Sequence, residues 1–156
     1  MDDLINNLNN IPITKKNLKE IDYFVPNFEI CKCIKVYDGD SITVIAYLFN
    51  NIKPYKFTLR IDGVDTPEIR SKNWKEKQFA KIVRDNLQEK ILNKIIKVKI
   101  HKKDKYGRLL ATIYENIDNP GEDDKKIESI NEWLVKNKYA KRYFGGTKEK
   151  WFDEED

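Results

Sequence analysis

Apolar and polar side chains alternate along much of the first half of the chain, and that period of two predicts β-strands. Residues 29–37 read as a strand broken by Asp38-Gly39, a pair that signals a hairpin. Ile42, Val44 and Ala46 alternate with Thr43, Ile45 and Tyr47 as a second strand, and Asn50, Asn51 and Pro54 mark the next turn. Tyr55, Phe57, Leu59 and Ile61 then alternate with Lys56, Thr58, Arg60 and Asp62, which sets Arg60 on the face opposite the apolar side chains. The period changes after Asn73, a helix-capping residue with Glu76 three positions on. Phe79, Ile82, Val83, Leu87 and Ile91 recur at helical spacing as one stripe. Ile96, Val98 and Ile100 alternate with Lys97, Lys99 and His101 as a fourth strand, which enters a turn at residues 104–108. A fifth strand returns over residues 109–114, and Ser129-Ile130-Asn131-Glu132 opens a second helix as a capping box.

Three strands, a helix, two strands and a helix, with hairpin-length turns joining the first three strands, predict an α+β, mainly β fold. The layout is a five-stranded OB-fold Greek-key barrel with two to three helices. That architecture often binds nucleic acid, but a fold alone does not set a function. The barrel domain is expected over residues 26–147. Residues 1–25 read as an N-terminal extension with an Asn-rich stretch and a short helix after Thr14, and residues 148–156 as an acidic tail. Residues 115–128, with Asn119-Pro120-Gly121, read as a loop.

The length of 156 residues suits one modest core, and 12% aromatic residues argue against disorder despite 36% charged residues. The net charge of +4 is distributed unevenly: residues 69–105 hold thirteen Lys or Arg against four acids. A basic half beside acidic segments is what a polyanion-binding face needs, although lysines also solvate ordinary helices. Cys31 and Cys33, the two cysteines, sit on alternate positions of one strand, too far apart to bridge, and no second pair completes a zinc site. Reduced, buried thiols favour an intracellular setting. No 18-residue apolar run and no basic start followed by an apolar stretch is present, so neither a membrane span nor a secretion signal is expected.

Three polar clusters carry the chemistry: Asp38-Gly39-Asp40, Arg60 with Asp65-Thr66-Pro67-Glu68, and Asp104-Lys105-Tyr106-Gly107-Arg108. Each taken singly is an ordinary turn or surface signal. Together they offer Asp40, Asp65 and the Thr66 carbonyl to a hard cation such as Ca²⁺. Glu68 beside them can orient or deprotonate a water, and Arg60 and Arg108 can hold a phosphate. Lys105 and Tyr106 could hold a second phosphate or stack a base. With His101 as the lone histidine, a His-based nuclease mechanism is nearly excluded.

In this order and spacing the clusters resemble the staphylococcal nuclease (thermonuclease-like) family. Asn131-Glu132, Leu134-Val135 and Ala140-Lys141 resemble that family's last helix region, and the likeness spans residues 28–144. The resemblance implies Ca²⁺-dependent hydrolysis of DNA or RNA by in-line attack of water, giving 3′-phosphorylated products; the lysine-rich helix and fourth strand imply binding with little sequence preference, and a monomer is expected. It implies Asp40, Asp65 and the Thr66 carbonyl as calcium ligands, with Asp38 behind them. Glu68 would act on the attacking water, Arg60 and Arg108 on the scissile phosphate, and Lys105 and Tyr106 on the terminal phosphate. The chain departs from the pattern at Tyr143-Phe144-Gly145-Gly146, where family members often carry a pair of tyrosines against the base. The alternative is a catalytically inactive nucleic-acid-binding module, which has little reason to keep all five of Asp40, Arg60, Asp65, Glu68 and Arg108.

Overall fold

The computed structural model describes residues 1–49, 52–115 and 127–153. The expected turn at Asn50 and Asn51, the Asn119-Pro120-Gly121 loop and the last three residues of the tail lie outside the described residues. Five strands close into a barrel in the order β1-β2-β3-β6-β5, with β1 at Ile30–Val36, β2 at Ser41–Tyr47, β3 at Pro54–Ile61, β5 at Ile95–Lys103 and β6 at Leu109–Tyr114. The expected OB-type barrel is present. Neighbours pair antiparallel except β3 with β6, which run parallel over Leu59–Ile61 and Leu109–Ala111. Alternation delivers Cys33, Val44, Leu59, Ile96, Val98, Ala111 and Ile113 to the core. Both cysteines are free and buried, and burial pushes the Cys31 thiol up to about 12 and Cys33 to about 11.

Helix α3 (Trp74–Ile91) packs beside β1 through Ala80, Val83, Leu87 and Ile91. The expected stripe is rotated at its start: Ala80 is buried, while Ile82 projects to solvent. The caps follow the sequence, with Asn73 accepting from the Glu76 N–H and Ser129 from the Glu132 N–H. Neither box closes reciprocally. Glu76 turns to Ser71 and the Glu68 N–H, and Glu132 makes a two-pronged pair with Arg142 at 3.0 and 2.9 Å.

Gly39 shows why a hairpin signal is not always about dihedral freedom. Its φ is not positive. A Cβ there would stand 2.6 Å from Val83 Cγ1 and 2.8 Å from Thr66, so the β1–β2 turn fits against α3 and the Thr66 segment only without a side chain.

Helices α1 (Asp2–Asn9) and α2 (Lys15–Glu20) precede the barrel and bury no residue, so Leu4, Leu8, Leu18 and Ile21 stay exposed. The Asn-rich stretch is helical nonetheless: Asp2 and Asp3 complement the positive N-terminal end, and Leu4, Ile5 and Leu8 share a face. No helix among the described residues is long and apolar enough to cross a membrane.

Two features escaped the pattern. The two-residue strands β4 (Val64–Asp65) and β7 (Lys141–Arg142) pair antiparallel and fix the end of the chain beside the 64–66 segment. Between them α4 (Ile130–Lys136) is tied to the parallel seam by buried Asn131. Its Oδ1 accepts from the Ile113 N–H at 3.0 Å, and its Nδ2 donates to the Asp62 and Ala111 carbonyls at 2.9 and 3.2 Å. Asn131→Ala leaves the buried Ile113 N–H without its partner and removes one bond from the Asp62 and Ala111 carbonyls, the latter still accepting from the Asp62 N–H. The change should cost about 1–3 kcal/mol, read as a lower urea midpoint at an unchanged m-value.

Candidate active site

Strand ends and tight turns hold every candidate residue. Asp40 closes the β1–β2 turn, Arg60 lies near the end of β3, Asp65 ends β4, and Thr66 and Glu68 follow it directly. Asp104 to Arg108 form the β5–β6 turn. There Asp104 Oδ1 accepts from the Tyr106 and Arg108 N–H groups, both at 2.9 Å, and Gly107 takes φ +83°.

Asp40 is buried and fully engaged. Its Oδ2 accepts from the Thr66 N–H at 3.2 Å and faces Arg60 Nη2 at 3.6 Å, while Oδ1 accepts from Ser41 Oγ. Its main-chain carbonyl receives the Ile61 N–H at 2.8 Å, which locks the turn to the end of β3. Arg60 is itself buried, with Nη1 donating to the Ile61 carbonyl. Arg108 is oriented by Asp104 across a 2.7 Å contact to Nε and approaches Ser41 Oγ with Nη1 at 3.5 Å.

The two arginines therefore reach one place from separate segments, Arg60 from β3 and Arg108 from the β5–β6 turn. Asp38, Asp40, Ser41, Arg60, Glu68 and Arg108 line a single cleft of about 470 Å³. Asp65 and Thr66 lie buried behind it, joined through the Thr66–Asp40 bond. Lys105 and Tyr106 stand apart from this group. They line an adjoining cleft with Tyr143 and Phe144, and Arg60 and Arg108 border both clefts. Lys105 Nζ and the Arg108 guanidinium lie 5.1 and 5.5 Å from the Tyr106 ring centre.

The electrostatics follow from this crowding. Burial, reinforced by the Asp40 charge, pushes the Asp38 carboxyl from 3.8 up to about 7. Asp104 moves the other way: burial opposes its charge, but the Arg108 and Tyr106 N–H groups and the Arg108 guanidinium hold it below the usual range.

The donors fit a hard cation. Thr66 Oγ1 is buried without a hydrogen-bond partner, Asp65 Oδ1 is buried with only the Lys148 ammonium beside it, and the metal-ligating atoms on offer are all oxygens. Among the described residues no three His, Cys, Asp or Glu side chains are placed to hold a metal ion together. The protein side of a metal shell would thus be two carboxylates completed by carbonyl and water. Glu68 is largely exposed, with its N–H held by Glu76.

The sequence missed three participants. Arg70 and Tyr37 line the cleft, the guanidinium 5.9 Å from the ring centre, and Arg70 stands only two residues past Glu68. Lys148 places Nζ 3.1 Å from Asp65 Oδ1 and 3.7 Å from Glu68 Oε1. Burial works against its charge, but Asp65 and then Asp40 hold it above the usual lysine value. No local pattern marks it, because its position depends on the β4–β7 pairing.

A family model described as "Staphylococcal nuclease homologue" matches residues 58–155. Asp38 and Asp40 fall before that match, and Arg60, Asp65, Thr66, Glu68, Lys105, Tyr106 and Arg108 fall within it. A thermonuclease of Staphylococcus hyicus is 32% identical over 120 residues, covering 76% of this chain and 62% of its own. An uncharacterised protein of Methanocaldococcus jannaschii is 30% identical over 135 residues, covering 72% of this chain and 58% of its own. A staphylococcal-like nuclease of Arabidopsis thaliana is 30% identical over 82 residues, 53% of this chain but 24% of that protein. The chain thus spans less than two thirds of each of these relatives.

Asp38 gives the site a pH signature. Between about pH 4 and 7 the folded protein keeps a proton on Asp38 that the unfolded chain releases, so this group's contribution to stability falls as pH rises through that window. Asp38→Asn should flatten that part of a stability-against-pH curve measured in chelator; an unchanged slope would contradict the assignment.

Proposed function

Since the chain belongs to the staphylococcal nuclease family, we propose that it hydrolyses phosphodiester bonds of DNA or RNA with the help of calcium, leaving 3′-phosphorylated ends. The observation that carries this reading is the convergence of Arg60 and Arg108, each held by its own carboxylate, on the cleft that also takes in Asp40 and Glu68.

Asp40, Asp65 and the Thr66 carbonyl would hold the ion, whose charge offsets that of the phosphate. Glu68, on the cleft wall, takes the proton from the attacking water as its oxygen bonds to phosphorus in line with the departing 5′-oxygen. Arg60 and Arg108 donate to the non-bridging oxygens, where negative charge grows in the pentacovalent transition state. Both are oriented before substrate arrives, so little reorganisation is needed during reaction. Lys105 and Tyr106 contact a terminal phosphate in the adjoining cleft. The basic α3 and β5 surfaces attract the polyanion without reading bases.

The primary test is digestion of single-stranded DNA, duplex DNA and RNA in Ca²⁺, in Mg²⁺ and in chelator. Ca²⁺ should support cleavage and Mg²⁺ should do so poorly, because the smaller ion demands a near-ideal octahedron that two carboxylates and a carbonyl do not impose. Equal turnover in saturating Mg²⁺ would sink the calcium assignment, and binding without cleavage in any metal would favour the inactive-module alternative. Arg108→Ala should lower the cleavage rate on the order of 10²–10³-fold with the fold retained, since Arg108 is only partly buried and its loss leaves Asp104 its backbone bonds. Near-normal rates in that variant, with circular dichroism intact, would remove the mechanism's main support.

A further inference from the structure

Residues 143–153 return to the site by a route that leaves Lys148 on the candidate metal ligands. Gly145 and Gly146 take φ of +106° and +86°, and the Tyr143 hydroxyl donates to the Gly146 carbonyl at 2.8 Å, which turns the chain back. The segment beyond is fastened at several points. Lys141 Nζ donates to the Lys150 carbonyl at 2.7 Å and lies 4.6 Å from the Trp151 ring centre. Trp151 and Phe152 pack on Phe79 with ring centres 5.7 and 6.3 Å away, and Asn73 Nδ2 donates to the Asp153 carbonyl. These contacts seat the segment across the start of α3, next to Glu68.

Seated there, Lys148 Nζ stands 3.1 Å from Asp65 Oδ1, a buried oxygen that otherwise has no partner, and 3.7 Å from Glu68 Oε1. A calcium ion bound through the same oxygen would sit about 2.3–2.6 Å from it. Two cations at that spacing on one oxygen repel each other, so the ammonium and a divalent ion exclude one another at Asp65.

We propose that Lys148 is a tethered counter-cation of the candidate metal centre. It pairs with Asp65, and more distantly with Glu68, while no divalent ion is bound, and it leaves Asp65 when one binds. Metal binding and the seating of residues 148–153 then oppose each other, and by linkage the antagonism is reciprocal. The proposal rests on the calcium reading above. Its strength is bounded by exposure: the Lys148 side chain is 43% exposed, so the pair yields to a divalent ion rather than blocking it. The energetic role is to keep a buried carboxylate from standing unpaired in the metal-free protein.

The test is calorimetric titration of calcium chloride into the chelator-stripped full chain at low ionic strength, comparing wild type, Lys148→Met and Lys72→Met. Lys72 lines the cleft under the tail with Lys148 and controls for the loss of one positive charge nearby. Lys148→Met should tighten Ca²⁺ binding about three- to fivefold, as expected for a partly exposed ion pair, and Lys72→Met less than twofold. Amide hydrogen exchange supplies a second readout. Calcium should speed exchange over residues 147–153 in the wild type, whereas in Lys148→Met exchange there should respond far less to calcium. An affinity that is unchanged or weakened in Lys148→Met, or equal tightening in both variants, would overturn the proposal while leaving the calcium reading in place. Failure of every form to bind calcium would overturn that reading, and the proposal with it.

Discussion

The Asp40 carboxylate is the constraint on which the rest of the site depends. A buried charge is tolerated only when paired and hydrogen-bonded, and Asp40 meets that demand with groups drawn from separate segments. The Thr66 N–H comes from the stretch after β4, the Arg60 guanidinium from β3 and the Ser41 hydroxyl from β2. Satisfying one carboxylate therefore places the donors of the proposed cation site, one phosphate-directed arginine and the β1–β2 turn relative to each other. The missing Cβ at Gly39 lets that turn close against Thr66 and Val83, without which the Thr66 N–H would lie out of reach.

The second constraint is how the last part of the chain is returned to the barrel. Asn131 plugs the parallel β3–β6 seam, where few ladder bonds are available, by matching both a donor and two acceptors. That bond set anchors α4, and the Glu132–Arg142 pair then helps hold β7 against β4. Because β4 contains Asp65, the pairing that completes the fold also carries Tyr143 and Lys148 to the site. Packing and site chemistry meet in a two-residue sheet.

The barrel was legible because its strands repeat a period of two and its main helix a period near 3.6, each over several turns of the pattern. Asn73 and Ser129 announced the helix starts through capping chemistry that depends only on neighbours three residues away. The candidate site was legible in the same local sense: Asp40, Arg60, Asp65, Glu68 and Arg108 occupy strand ends and turns, and closing the barrel brings their segments together. Strands of two residues have no period to read, so β4 and β7 were invisible. Ile82 was misplaced because it borders the true ridge of Ala80, Val83, Leu87 and Ile91, and a stripe drawn from apolar residues alone overlooks alanine. Lys148 was hidden for the deeper reason that its role comes from contacts made far along the chain.

The two arginines reach the cleft with different freedoms, which bears on how such a site divides its work. Arg60 is buried, held by Asp40 and by its own strand, and cannot swing without depriving the buried Asp40 carboxylate of its counter-charge. Arg108 rides on a tight turn and is steadied by Asp104 through Nε, with more of its guanidinium open to solvent. A carboxylate behind each guanidinium reduces the local positive charge yet fixes the direction of the remaining N–H donors. For a phosphoryl centre whose charge grows during reaction, donors already aimed gain more than mobile donors of higher charge, which must lose side-chain freedom as they engage. The rigid arginine is thus suited to set the position of the phosphate, and the more exposed one to follow it as its geometry changes.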